Sequence, residues 1–247
     1  MKRRVNVAGV YVDNLSEDET LSRIDELIAG GGSHYMTVVN AAKVVAARRD
    51  SELRDRLAKA AIVTADGMSV VWASRLVGEG LKQRVTGIDM FERLIGYAAG
   101  RGLSVYFIGA RDRSVRGVVE HFTARFPDLR VAGYRNGYFD ESQESEIARQ
   151  IRQSRADLLF VALGSPRQED WISRHLETTG VRFALGVGGS FDHLSGLQRR
   201  APAWMQRAGL EWLHRVAREP RRLWRRYLIG NTVFIYLVAK QMLSRNR

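Results

Sequence analysis

Cysteine is absent from the 247 residues, which removes disulfides, thiolate metal sites and cysteine nucleophiles and is compatible with a reducing compartment. Proline is scarce, with only four. The 45% hydrophobic and 27% charged residues are those of a folded globular chain, so collagen-like and wholly disordered classes are excluded. Long hydrophobic runs are missing as well. The stretch from Tyr227 to Ala239 is interrupted by Gly230, Asn231 and Thr232 and falls short of the roughly 20 apolar residues that span a bilayer. Near the start, Lys2-Arg3-Arg4 precedes an apolar run, Val5 to Val12, that ends in Asp13-Asn14 without a small-residue cleavage site. It is too short for a signal peptide and is expected to be a first strand.

The common nucleotide and metal signatures are also lacking. Gly186-Val187-Gly188-Gly189-Ser190-Phe191 has Phe where the dinucleotide fingerprint needs its third glycine, and no Gly-Lys-Ser/Thr loop occurs, which disfavours an ordinary dehydrogenase or a P-loop ATPase. The five histidines show no paired ligand spacing, and no Asp-x-Asp is present to hold a cation on a diphosphate. Neither a metal nor a cofactor is expected. A diphosphate leaving group would then need arginines and backbone amides to meet its charge.

Positive charge is abundant and unevenly placed. Of the 39 Lys and Arg, 12 lie in residues 199–247 beside two acids, Glu211 and Glu219, a charge of +10 against +2 for residues 1–198. A near-neutral core of 1–198 thus carries a basic appendage of 199–247, which implies an anionic partner for the appendage. Three of the five tryptophans, Trp204, Trp212 and Trp224, fall there, with Arg215, Arg218, Arg222 and Arg225 at helical spacing and Pro220 expected to open a new helix. Arginine beside Trp, Tyr and Leu suits a helix lying in a membrane interface. A solvated basic helix pair packed on the core is the plainer alternative, and composition alone also fits nucleic acid.

Through the core, apolar runs alternate with helical patterns. Ser16 and Glu19 form a capping box opening a helix through Ile28, closed by Gly30-Gly31-Gly32. Strands are expected at Tyr35 to Val39, Ala61 to Ala65, Ser104 to Gly109, Leu129 to Gly133, Asp157 to Leu163 and Val181 to Val187. Such alternation predicts an α/β fold with a largely parallel sheet flanked by helices. Small or polar residues follow several strands: Asn40, Asp66-Gly67, Gly109-Ala110, Gly164-Ser165-Pro166 and Gly186 to Gly189. Ligands of open α/β sheets bind at that carboxyl edge, and glycine backbones with helix N-termini there accept phosphate.

Individual residues keep two readings at this point. Asp66 is a general base at the sheet edge or a helix N-cap. Asn40 caps a helix from Ala41 or bonds a ligand, and Asp192 braces its loop or takes part in the site. Arg84, Arg167 and Arg200 are diphosphate ligands or ordinary surface arginines.

Taken in order, Asn40, Ala65-Asp66-Gly67, Arg84-Val85-Thr86-Gly87, Leu163 to Glu169, Gly186 to Asp192 and Arg200-Ala201-Pro202 resemble the WecG/TagA/CpsF glycosyltransferase family, and Glu211-Trp212, Arg215, Glu219-Pro220, Arg222 and Arg225-Arg226-Tyr227 continue the likeness. The resemblance implies a Rossmann-like core and an inverting, metal-independent transfer of a sugar from a nucleotide-diphosphate donor, UDP foremost, to a polyprenyl-diphosphate-linked sugar. Such hexosyl or N-acetylhexosaminyl transfers build teichoic acids, enterobacterial common antigen and exopolysaccharides. It also implies a cytoplasmic protein, peripheral on the inner face of the bacterial membrane through its appendage, with self-association open and no nucleic-acid partner. On this resemblance Asp66 is the base, Asn40, Arg84 and Gln168 line the pocket and the appendage supplies arginines to it, so that Arg84 or the basic appendage is expected to meet the charge of the leaving group. The substrate-contacting set is Thr37, Asn40, Gly109, Gly164, Arg167, Gln168, Gly186, Gly188, Gly189, Asp192, Arg200, Arg215 and Arg222. One position departs from the family pattern: Val38 stands two residues before Asn40 where the family has Thr, and Thr37 precedes it. The competing class is a noncatalytic nucleotide- or nucleic-acid-binding module with a basic arm.

Overall fold

A computed structural model describes residues 4–198, 201–202, 204–205, 209–218 and 220–245, with backbone alone at 215, 220–229 and 245. The expected first strand is instead a hairpin, β1 (Arg4–Val7) and β2 (Val10–Asp13), paired antiparallel from Arg4↔Asp13 to Val7↔Val10. Ala8 and Gly9 have φ of +50° and +91°, the left-handed pair a two-residue turn requires. An Ala-Gly pair inside an unbroken apolar run does not announce that turn.

The next helix, α1 (Glu17–Ala29), begins with the expected Ser16/Glu19 capping box. Six strands then form one sheet: β3 (His34–Val39), β4 (Ile62–Ala65), β5 (Ser104–Gly109), β6 (Arg130–Arg135), β7 (Leu158–Ala162) and β8 (Phe183–Gly186). Their order is β4-β3-β8-β7-β5-β6, and every neighbouring pair is parallel. The strands are joined by α2 (Ala41–Arg49), α3 (Ser51–Lys59), α4 (Met68–Leu76), α5 (Gly87–Arg101), α6 (Asp112–Arg125), α7 (Glu141–Ser154) and α8 (Arg167–Thr179), and α9 (Ser190–Leu194) follows β8.

Helices cover both faces, so β7 and β8 are buried at every residue, as expected of a parallel sheet. Strand alternation divides the core in two. Leu159 and Val161 face α2, α3, α4, α7 and α8, with the fully buried Trp171. Leu158 and Phe160 face α1, α5, α6 and α9, where Phe91 packs on Phe160 with ring centroids 4.5 Å apart. Burying such apolar and aromatic area is the main favourable term for the fold.

Two further helices are α10 (Glu211–Arg218) and α11 (Pro220–Arg245). Pro220 opens α11, where its missing N–H costs nothing. The second half of α11 crosses α2 and α4 and sends Phe234 and Val238 into the core beside α2. Gln241 clamps it to the hairpin turn: its Oε1 accepts from Ala8 N at 2.7 Å and its Nε2 donates to Asn6 O at 2.8 Å. Among the described residues no helix is long and apolar enough to cross a membrane.

Candidate active site

Along the carboxyl edge of the sheet, the chain leaves β5 towards β6 on one side and β7 towards β8 on the other. Connections that part in this way open a crevice between the two strand ends. Backbone packs tightly at these strand ends. Gly109 has φ +128°, and a Cβ there would sit 2.4 Å from Ala162 O, so only glycine fits. The loop after β6 folds onto the same point through Gly137 N→Ala110 O at 2.9 Å. Gly164 (φ +76°) and Gly188 (φ +56°) continue the edge.

Arg167 and Asp192 brace this region. Arg167, the first residue of α8, donates to Gly137 O and Phe139 O at 3.2 and 2.9 Å and lies over the Phe139 ring at 4.7 Å. Asp192 accepts from Ser114 Oγ at 2.6 Å, joining α9 to the first turn of α6. Gly189 is the N-cap of α9. Arg200 lies outside the described residues, and Arg215 and Arg222 sit on α10 and α11 with only their backbones described.

At the other end of the edge a cavity of about 460 Å³ brings together Asn40, Asp66 and Arg84 with α4, the start of α10 and α11. Its volume is that of a small-ligand site. Asp66 follows β4, its N–H held by Val39 O at 2.9 Å. It does not cap α4: Gly67 is the N-cap of that helix, without a side-chain bond. Asp66 Oδ1 instead accepts from Gly87 N at 3.3 Å, at the N-terminus of α5. Asn40 does cap α2, its Oδ1 accepting from Lys43 N at 3.1 Å, while its side chain also lines the cavity. Arg84 is held by the strand-like bond Val85 N→Ala65 O at 2.9 Å, and its Nη1 donates to Glu211 Oε2 at 2.7 Å. This ion pair joins the core to α10. Gly209, at φ +70°, crosses so close to Met68 that a Cβ would meet its side chain at 2.8 Å.

Thr37 is not among the side chains lining that cavity. Period-two alternation sends it to the opposite face of β3 from Val38, whose methyls approach the α-carbon side of Gly87. Thr37 Oγ1 donates to Glu169 Oε1 at 3.1 Å, which also accepts from Lys43 Nζ and Gln168 Nε2, each at 2.8 Å. Gln168 Oε1 in turn accepts from Gly188 N at 3.0 Å, and its side chain occupies the space a Cβ on Gly186 would need, 2.7 Å away. A buried polar network therefore ties α2 and β3 to the glycine loop after β8. Burial alone pushes the Glu169 carboxyl up, but the Lys43 ammonium and hydrogen bonds from Lys43, Gln168 and Ser165 outweigh it, and the net shift is downward.

Sequence reading did not single out Lys43 and Glu169 as a pair, Glu211 as the partner of Arg84, or the apolar wall of Met68, Trp72 and Leu76. The wall had a signal: its i, i+4, i+8 spacing on one helix face. The pairs had none, since they join residues more than a hundred positions apart.

A family model described as the glycosyl transferase WecG/TagA/CpsF family matches residues 5–247. An N-acetylglucosaminyldiphosphoundecaprenol N-acetyl-beta-D-mannosaminyltransferase of Bacillus subtilis (strain 168) is 36% identical over 193 residues, 78% of this chain and 74% of that protein. The protein of the same description from Staphylococcus aureus (strain MW2) is 27% identical over 239 residues, 96% of this chain and 92% of that one.

Proposed function

Because the chain belongs to the WecG/TagA/CpsF glycosyltransferase family, we propose that this glycosyltransferase moves an N-acetylhexosamine, N-acetylmannosamine foremost, from a UDP donor to a sugar carried on a polyprenyl diphosphate. The observation that carries this reading is the shared cavity of Asp66, Asn40 and Arg84, on the same carboxyl edge of the sheet as the strand-end crevice and closed by α10 and α11.

In a single displacement, the Asp66 carboxylate takes the proton of an acceptor hydroxyl as that oxygen attacks the anomeric carbon. The bond from that carbon to the diphosphate oxygen breaks, and UDP leaves with the electron pair, inverting the centre. Positive charge grows on the sugar and negative charge on the diphosphate. Arg84 answers the latter by charge-assisted hydrogen bonds. The nucleoside fits the crevice between β5 and β7. This route calls for no metal. The +10 appendage supports peripheral attachment to an anionic membrane surface, where such an acceptor resides.

A panel of UDP- and GDP-sugars against N-acetylglucosaminyl-diphosphate lipid, with nucleotide release and product mass both read, tests the proposal. One N-acetylhexosamine gained per UDP released, with activity kept in EDTA, is the expected result. Phosphate gained by the acceptor, or no sugar transferred from any donor, overturns it.

A further inference from the structure

Resting on that reading, we propose that the groove between α4 and α11 holds the first isoprene units of the acceptor lipid, so that the enzyme grips hydrocarbon as well as sugar diphosphate. The cavity is polar at one end, with Asp66, Asn40 and Arg84, and apolar along its walls. Met68, Trp72 and Leu76 recur at i, i+4, i+8 on α4, and Phe234, Val238 and Met242 repeat the same spacing on α11. Residues so spaced form one stripe on a helix, and here both stripes line one cavity.

Phe234 and Val238 are buried and anchor α11. Trp72, Leu76 and Ile235 keep 47%, 60% and 66% of their surface exposed, although all three line the cavity. One exposed leucine is ordinary. Three large apolar side chains bordering a cavity whose floor carries a carboxylate and a guanidinium are a site in search of an amphiphile. The polarity runs the way the acceptor's does: its sugar hydroxyl at Asp66, its hydrocarbon outward along the apolar walls. Met68 and Met242, unbranched and polarizable, adapt to the irregular profile of a methyl-branched chain.

The test uses the full chain without vesicles, so that groove and bilayer are separated. Two soluble acceptors are compared, N-acetylglucosaminyl diphosphate esterified to methyl or to farnesyl, in the wild type and in Leu76→Ser with Ile235→Ser. Both positions are exposed, and a melting curve checks that the variant folds. The wild type is expected to favour farnesyl in kcat/KM, and the double variant to lower the farnesyl-to-methyl ratio on the order of 10-fold or more. A ratio near one in the wild type, or the same ratio in both proteins, overturns the groove while leaving sugar transfer intact. An unchanged ratio, with binding to anionic vesicles weakened in a separate sedimentation assay, assigns these side chains to the bilayer and overturns it equally. No transfer to either acceptor overturns the reading on which the groove rests.

Discussion

The two ends of the sheet's carboxyl edge are made of different material. At β5 and β7 the surface is backbone, shaped by Gly109, Gly137 and Gly164, with Arg167 turned inward to brace the loops. At β3 and β4 it is side chain, with Asn40, Asp66 and Arg84 facing helices from the far end of the chain. Backbone amides serve any phosphate, and side chains discriminate. On the proposed reading the first end serves the nucleoside, and the second serves the reacting centre, with Asp66 toward the acceptor hydroxyl and Arg84 toward the leaving diphosphate.

The buried network spans both ends, so its loss has the largest expected effect on the fold. Lys43→Met leaves Glu169, 1% exposed, without its counter-charge. It is expected to cost about 3–5 kcal/mol in denaturant unfolding, and a cost near zero would make the network incidental. Next comes Gly109→Ala, which adds a methyl against Ala162 O and strains a positive φ. A loss of about 1–3 kcal/mol is expected, with donor affinity weakened more than acceptor affinity. Equal weakening of both would erase the distinction between the ends.

The network also has a pH signature. Because the folded Glu169 carboxyl lies below its ordinary value of 4.5, its stabilisation is complete above that value and is lost as pH falls through the folded one. Glu169→Gln should flatten the fall in melting temperature on acidification below about pH 4.5. An unaltered slope would place the acid sensitivity elsewhere. The smallest effect belongs to Arg84 and Glu211, which are 16% and 19% exposed. Glu211→Gln is expected to cost about 1 kcal/mol or less while changing kcat through its partner Arg84, and an unchanged kcat would detach the pair from the leaving group.

How much of this was legible in sequence follows from how local each feature is. The parallel sheet was legible because each β-run and its helix write their own periodicity, and the glycine-rich strand ends stand out as motifs. The Ala8-Gly9 turn was not, because Ala is not a usual left-handed residue. Thr37 and Arg167 have the polar chemistry of a ligand site, but a one-residue step on β3 turns Thr37 to the opposite face from Val38, and Arg167 folds back onto Gly137 and Phe139. For Asp66, the motif alone could not show which helix end it meets: Gly67 holds the cap position of α4, and the carboxylate reaches Gly87 N at the start of α5 instead. The closure of the cavity depends on α11 crossing α2 and α4, a long-range packing that no local pattern encodes.

Activation of the acceptor hydroxyl by the Asp66 carboxylate is decided by single-turnover sugar transfer in Asp66→Asn, with donor affinity measured alongside. A rate lower by about 100- to 10,000-fold, with the donor bound as in the wild type, is the predicted result. Transfer at close to the wild-type rate would contradict it.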